Sequence, residues 1–213
     1  MTPVVAVLAV LSGACSPATP APSSTNTAPT SVAPSATQPS VGRPSAAEPS
    51  ARLDPAALRQ ELLDLQAADQ AERTGQAATN GDADRAARLA EIIDAHGWPS
   101  SDLVGEDGAS AAWLIAQHAD VDVAFQQRAL GLMADAVAAG RADASELAFL
   151  DDRVAVNTGA EQTYGTQIRC RGGVAEPATP ISDPGEVDRR RAGVGLEPLA
   201  DNLAIFAADC AAE

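Results

Sequence analysis

The feature that most constrains this chain is a long segment that cannot fold on its own. Residues 16–50 are almost wholly Ser, Thr, Pro and Ala, with eight prolines and only Arg43 and Glu48 charged. Such a composition cannot bury enough apolar surface to offset the conformational entropy lost on ordering. We therefore predict a disordered linker over residues 16–51 and a folded domain confined to residues 52–213.

An apolar run precedes this linker. Residues 4–15, VVAVLAVLSGAC, have the length of the hydrophobic region of a signal peptide and are too short to span a bilayer as a helix. The last five, LSGAC, resemble the bacterial lipobox, in which the cysteine carries the lipid. We predict a lipoprotein signal peptide over residues 1–15, with Cys15 acylated, for example by palmitate. The lipid would hold the protein on the extracytoplasmic face of the cell membrane, and a plain secretory signal is the alternative.

Charge and composition exclude several classes of partner and reaction. The net charge of −15 argues against nucleic acid as a partner, because binding a polyanion requires a positive surface. All 14 basic residues are arginine, so Schiff-base and phosphate-loop chemistry that needs lysine is excluded. The sequence contains neither a GxSxG nor a CxxC motif, and we predict no cofactor.

Two cysteines lie in the predicted domain. If Cys15 carries lipid, Cys170 and Cys210 remain as a pair, and outside the cytoplasm such a pair is readily oxidised. We predict a disulfide bond between them, which would join the segment after YGTQ to the last helix. Two independently buried thiols are the alternative.

Helix signals follow one another through the first half of the domain. Asp54 and Pro55 supply an N-cap and a first-turn proline, and leucines then recur at helical spacing. Asp82 is expected to cap a second helix that ends at Gly97. Residues 97–108 are expected to form a loop before the third helix.

The third helix, ASAAWLIAQHA, is apolar nearly all round, which indicates a central and buried position. Asp122 is expected to open a fourth helix and residues 144–156 a fifth. A hairpin turn is expected at Gly172 and Gly173, followed by a helix capped by Asp183 and a last helix around NLAIFAADC. The predicted fold class is mainly α: a helical array of about six to seven helices with one small β-hairpin.

Several short motifs occur together in this domain. They are DQAER, HGWP, QHAD, DRV, QTYGTQ and DPGEVDRRRAGVGL, in that order. Together they resemble an uncharacterised bacterial family, the domain-of-unknown-function family 6624, over about residues 54–199. The resemblance implies a shared fold and some shared purpose, but no activity.

The two histidines are the first candidates for a site. His96 lies in the last turn of its helix, and His118 stands next to Gln117 at the polar end of the buried third helix. Together they could supply an acid and base pair. Their spacing matches no zinc motif, so we predict no metal site. Alternatively, His96 only caps a helix end and His118 is a core group that is hydrogen-bonded within the fold.

Polar side chains elsewhere complete the candidate site. QTYGTQ places four hydrogen-bonding side chains around one glycine, more than a turn requires, although they could equally tie the hairpin to the helices. The three consecutive arginines at 189–191 fan out around a helix, so only one of them could meet a ligand. The candidate catalytic residues are His96, His118, Tyr164 and Arg153. The candidate ligand-binding residues are Gln117, His118, Asp120, Tyr164, Gln167 and Arg190.

Two functions from different classes remain open at this point. The first is a binding or structural module, tethered to the membrane through Cys15, whose polar motifs hold a small polar ligand or a cell-envelope component. The second is a hydrolase-like or lyase-like enzyme with His96 or His118 as general base and Tyr164 or an arginine stabilising negative charge. We favour the module, because no nucleophile is evident.

Overall fold

A computed structural model describes residues 53–77 and 81–212. The predicted signal peptide with Cys15, and the linker, lie outside these residues. The described part contains seven α-helices and one two-stranded antiparallel sheet, which confirms the predicted mainly α fold with a small hairpin. The elements are α1 (Pro55–Arg73), α2 (Asp82–His96), α3 (Ser101–Gln117), α4 (Val123–Ala138), α5 (Ala144–Thr158), β1 (Ile168–Arg171), β2 (Val174–Pro177), α6 (Val187–Gly193) and α7 (Leu199–Cys210).

Helix α3 is the centre of the array, as its all-round apolar sequence predicted. It packs against α1, α2, α4 and α5. Arg59 in the first half of α1 pairs with Asp107 in the first half of α3. Asp69 near the end of α1 contacts His118 just past the end of α3. Helices α1 and α3 therefore run in the same direction. The carboxyl ends of both helices therefore meet at one end of the array.

The core around α3 is aliphatic. Leu62, Leu89, Ile92, Met133 and Leu150 are each at most 2% exposed. Burying one such side chain stabilises the fold by about 1.5–3 kcal/mol. The buried residues of α3 itself include four alanines, and these small side chains let the neighbouring helices pack close to α3.

Three of the seven described helices, α1, α4 and α5, follow an aspartate whose carboxylate caps the helix. The Asp54 carboxylate accepts hydrogen bonds from the backbone N–H groups of Ala56 and Ala57, and Asp122 accepts one from Phe125, as predicted. Each bond satisfies a backbone donor that has no partner inside its own helix.

Three local expectations were wrong. Asp82 does not cap α2: Gly81 occupies that position, and the Asp82 carboxylate instead binds the Arg85 side chain at 2.7 Å. Asp183 makes no side-chain capping bond either, and a short 3-10 turn over residues 184–186 precedes α6. At Asp82, the side chain of Arg85 competes with the backbone N–H groups for the carboxylate. At Asp183, the left-handed backbone has the wrong geometry for a cap.

The third wrong expectation is the loop over residues 97–108. Helix α3 already begins at Ser101, and it kinks at Gly105, where φ is 76°. Val104 lies in the first turn of α3 and is 1% exposed. Burial of this side chain favours a helix, although the polar composition of the segment indicated a loop. The backbone of Gly105 lies in the left-handed region, which favours glycine, and this non-helical conformation produces the kink.

The hairpin turns at Gly172 and Gly173, where φ is 58° and 79°, as expected for a two-residue turn. Cys170 on β1 and Cys210 at the end of α7 are joined by a disulfide bond with 5.1 Å between their Cα atoms, which confirms the predicted pair. Of the described helices, none is long and apolar enough to cross a bilayer.

Candidate functional site

Polar side chains gather where α1 and α3 end and α5 faces them. We call this group the α3-end cluster; its members are Asp69, Arg73, Trp113, Gln117, His118, Asp120 and Arg153. The cluster brings together the motifs DQAER, QHAD and DRV, which are far apart in the sequence. Most of it is buried: Asp69, Gln117, His118 and Arg153 are each at most 5% exposed.

Asp69 and His118 form a buried pair. The two carboxylate oxygens of Asp69 lie 3.0 and 2.9 Å from Nδ1 of His118. Nε of Arg73 also lies 2.9 Å from the same ring nitrogen and 3.2 Å from both carboxylate oxygens. One ring nitrogen cannot both donate to Asp69 and accept from Arg73. We assign the proton on Nδ1 as donated to Asp69, because the carboxylate is a charged acceptor and Arg73 can donate to that carboxylate as well.

The charge of Asp69 is held firmly in this position. Burial alone would raise its pKa, but the hydrogen bonds and charges of His118 and Arg73 outweigh burial and lower the pKa to about 2. Asp69 is therefore ionised at neutral pH, and it fixes both the orientation of the His118 ring and the proton on its Nδ1. The other ring nitrogen, Nε2, is buried and has no hydrogen-bond partner among the described residues.

Arg153 on α5 is buried and poorly paired. Its nearest carboxylate oxygen belongs to Asp120, at 3.7 Å from Nη1, which is too long for a hydrogen bond. Nε of Arg153 is buried without a partner in the described part of the chain. Burial and the nearby charge of Arg73 lower the pKa of Arg153, while Asp120 raises it.

Helical spacing places Arg153 opposite Gln117. Trp113 and Gln117 lie four residues apart on α3, and Phe149 and Arg153 lie four residues apart on α5, so each pair shares one helix face. The rings of Trp113 and Phe149 meet edge-on with centroids 6.3 Å apart. The two faces therefore oppose each other, with Gln117 and Arg153 at their carboxyl ends.

Unpaired polar atoms concentrate in this cluster. Within the described residues, seven buried side-chain nitrogen or oxygen atoms lack a hydrogen-bond partner, and four of them belong to the cluster. These four are Trp113 Nε1, Gln117 Oε1, His118 Nε2 and Arg153 Nε. Buried polar groups in folded proteins are nearly always paired, so a local group of unpaired ones requires an explanation.

Asp120 lies at the exposed rim of the cluster. Its Oδ1 accepts hydrogen bonds from Asn157 at 2.8 Å and from Gln126 at 3.2 Å. This carboxylate thus ties α4 and α5 to the end of α3, and only its second oxygen is turned toward Arg153.

The QTYGTQ motif, by contrast, makes many hydrogen bonds to the chain itself. The buried Asp152 carboxylate accepts the backbone N–H groups of Thr163, Tyr164 and Thr166, and the hydroxyl of Thr166. Burial raises the pKa of Asp152 and these hydrogen bonds oppose the rise. The Asp152 side chain thus clamps the motif onto α5.

The glutamines and arginines near this motif are satisfied in the same way. Gln167 Nε2 donates to the carbonyl of Phe149 at 3.2 Å, and its backbone N–H donates to Gln162. Arg190 donates to the carbonyls of Thr163 and Ser182 at 2.8 and 2.5 Å. The neighbouring Arg191 donates to the carbonyls of Tyr164 and Glu197 at 2.8 and 2.5 Å.

Tyr164 is half-buried beside this clamp. Burial and the charges of Asp151 and Asp152 raise the pKa of its phenol, while Arg190 lowers it. None of these charged neighbours belongs to the α3-end cluster. The structure therefore does not bring Tyr164, Gln167 or Arg190 into the cluster that holds His118 and Arg153.

His96 lies away from His118. Arg85, in the first turn of α2, contacts Glu72 at the end of α1 with a distance of 2.8 Å, so the start of α2 lies near the cluster. His96 is eleven residues further on, roughly 16 Å along the helix axis. It is exposed and borders a separate groove with a volume of about 410 Å³. The two histidines are not brought together.

Asp69, Arg73 and Trp113 were missing from the candidate residues. Asp69 continues the spacing of Leu62 and Leu65 on α1, where an apolar side chain would be expected. A carboxylate at a core-facing position signals a buried partner, and this signal was available in the sequence. Among the described residues, no three His, Cys, Asp or Glu side chains are grouped as metal ligands would be.

Comparison with known proteins gives a family without an assigned activity. Residues 56–210 match a family described as "Family of unknown function (DUF6624)". No curated protein and no solved structure matches the chain. The match spans all seven described helices and includes every member of the α3-end cluster.

Proposed function

The chain belongs to the family of unknown function DUF6624, and we propose that it is a binding module for a small polar molecule or a polar cell-envelope component. The ligand contacts the α3-end cluster. This proposal keeps the first of the two functions that the sequence left open. Of the ligand-binding candidates it keeps Gln117, His118 and Asp120, and it leaves out Tyr164, Gln167 and Arg190.

One observation carries the proposal. Four buried polar atoms in the cluster have no partner among the described residues, whereas the equally buried Gln162, Gln167 and Arg191 are hydrogen-bonded to backbone. Leaving a buried donor or acceptor unpaired costs about 1–3 kcal/mol. The polar groups around the QTYGTQ motif are paired, and those of the α3-end cluster are not. A ligand that pairs with the four atoms of the cluster would account for this difference.

The tether is part of the same proposal. A lipid on Cys15 and the linker over residues 16–51 would hold the domain outside the membrane, within reach of small molecules in the envelope. Inhibiting lipoprotein signal processing is expected to leave an unlipidated precursor. A mature protein with a free thiol at Cys15 would contradict the tether without affecting the binding site.

The binding function is tested by what the protein carries when purified. We expect a small molecule to be released in equimolar amount when the full chain, isolated from its own cells, is denatured and analysed by mass spectrometry. Arg153→Met should abolish it. Arg59→Met, which removes an exposed ion pair elsewhere on α1 and α3, is the matched control and should retain it. Equal release from wild type and Arg153→Met would contradict the site.

A second candidate function is acid–base catalysis at the same cluster. The Asp69–His118 geometry favours it, because a carboxylate on Nδ1 leaves Nε2 as the ring nitrogen that can accept a proton. His118 would then take a proton from a ligand hydroxyl, and Arg153 would stabilise the negative charge that develops. His96 and Tyr164 have no part in this version. A catalytic role predicts that Asp69→Asn lowers kcat for a substrate far more than it changes KM.

A further inference from the structure

We propose that Arg153 receives an anionic group, a carboxylate or a phosphate, on a small ligand that also carries a hydroxyl or amine. This inference rests on the proposed binding function and adds the chemical class of the ligand. The contacts of Arg153 and the unpaired donors and acceptors of the α3-end cluster support it.

Arg153 differs from the other buried arginines in its partners. Arg85, which is 6% exposed, has Glu72 and Asp82 at 2.8 and 2.7 Å. Arg191, which is 2% exposed, donates to two backbone carbonyls. Arg153, at 5% exposed, has a single carboxylate oxygen at 3.7 Å. Among these three arginines, Arg153 has the least satisfied N–H donors, and its Nε has no hydrogen-bond partner in the described part of the chain.

The carboxylate nearest to Arg153 is already engaged. Asp120 uses its Oδ1 to accept from Asn157 and Gln126, and it lies at the exposed rim. Asp69, the other carboxylate of the cluster, is taken by His118 and Arg73. A buried guanidinium requires close acceptors, and two oxygens of a carboxylate or phosphate match its fork of N–H donors.

The remaining unpaired atoms define the rest of the ligand. Trp113 Nε1 is a donor, so its N–H group can also donate a hydrogen bond to an anion. Gln117 Oε1 is an acceptor, and His118 Nε2 is an acceptor when the ring proton is on Nδ1. Two acceptors beside two donors fit a ligand that presents an anionic head and, next to it, one or two O–H or N–H groups.

The inference is tested with simple probes on the full chain. Acetate and inorganic phosphate represent the two kinds of anionic head, glycolate adds a hydroxyl to the carboxylate, and glycolamide is the neutral counterpart. Binding is followed by NMR on the indole N–H of Trp113. Trp98 supplies an internal control, because its indole nitrogen is also buried and unpaired but lies outside the cluster.

We expect an anion to shift the Trp113 signal while that of Trp98 stays in place. Glycolate should bind more tightly than acetate, and glycolamide should not bind. Arg153→Met should weaken anion binding about tenfold or more, since a charge-assisted contact is lost. Arg153→Gln provides a second variant if the methionine variant folds poorly, and Arg59→Met should bind as wild type does.

Preference for phosphate over acetate would identify the head as a phosphate, and the reverse as a carboxylate. The inference is wrong if no probe shifts Trp113 more than Trp98, or if Arg153→Met binds the anions as wild type does. If a neutral molecule is nevertheless released from the purified protein and lost in Arg153→Met, the binding function stands and only the ligand class fails. If nothing is released and no anion binds, both fail.

Discussion

The carboxylate of Asp69 and the imidazole of His118 are in direct contact although 49 residues separate them in the chain. The contact exists because α1 and α3 run in the same direction and end at the same level. It joins two buried polar residues into a fixed pair, with one ring nitrogen bonded to the carboxylate and the other without a partner among the described residues.

The first prediction concerns the acid stability of this pair. Because the folded pKa of Asp69 is about 2 and its ordinary value is 3.8, the ionised carboxylate stabilises the fold above pH 4. This contribution, about 2 kcal/mol, is lost as pH falls from about 4 to about 2. Urea unfolding of wild type and Asp69→Asn should differ by that amount at pH 6. The difference should shrink toward pH 2, and a pH-independent difference would contradict the assigned ion pair.

The second prediction concerns the clamp on the QTYGTQ motif. Asp152→Ala removes the acceptor of three backbone N–H groups and one hydroxyl. We expect a loss of about 3 kcal/mol or more in the free energy of unfolding, because these donors stay buried. Asp151→Ala is the matched control at the adjacent position, and it should cost well under 1 kcal/mol. Equal losses in denaturant titrations would show that the clamp contributes nothing.

Glu146 provides a prediction of opposite sign. Burial and the neighbouring charge of Asp143 raise its pKa to about 7, and a hydrogen bond from Ser110 opposes the rise. A raised carboxyl pKa favours the protonated folded state, so stability should fall as pH increases from about 4.5 to about 7. The expected loss is at most about 3 kcal/mol. Glu146→Gln should flatten this part of the pH profile. Glu106 and Glu146 line one groove, and Glu106→Gln should leave the profile unchanged.

The disulfide gives a fourth prediction. Cys170 and Cys210 are 40 residues apart, and cross-linking them restricts the unfolded chain. Reduction should lower the free energy of unfolding by about 2–4 kcal/mol. A double Cys170→Ser, Cys210→Ser variant should unfold with the same midpoint in the presence and absence of reductant. A reductant effect that persists in this variant would have another origin.

Local signals predicted the helices well. Asp54, Asp122 and the glycine pair in the hairpin act within a few residues of themselves, so the sequence around each one is sufficient. The start of α3 was missed because the burial of Val104 depends on helices far away in the chain. Asp82 was misassigned because its carboxylate pairs with Arg85 on the same helix and with Arg73 on α1, and a capping pattern alone does not indicate either pairing.

The candidate site was predictable only in part. His118, Gln117, Asp120 and Arg153 were chosen from their motifs, and the structure gathers these four. Tyr164, Gln167 and Arg190 were chosen on equal grounds, but they lie in the clamp beside α5. Only three-dimensional contacts distinguish the two groups, because an unpaired atom and a saturated one look alike in a sequence.

In this proposal the α3-end cluster binds a ligand, whereas the hydrogen bonds around the QTYGTQ motif stabilise the fold. Arg153 and Arg191 test it most directly, since both are buried arginines and only Arg191 is hydrogen-bonded to the chain. Thermal unfolding of the ligand-free protein should show that Arg153→Met leaves the melting temperature unchanged or raises it. Arg191→Met should lower it by an amount that corresponds to about 2–4 kcal/mol. A loss of the same size in Arg153→Met would contradict the account, because Arg153 would then be as structural as Arg191.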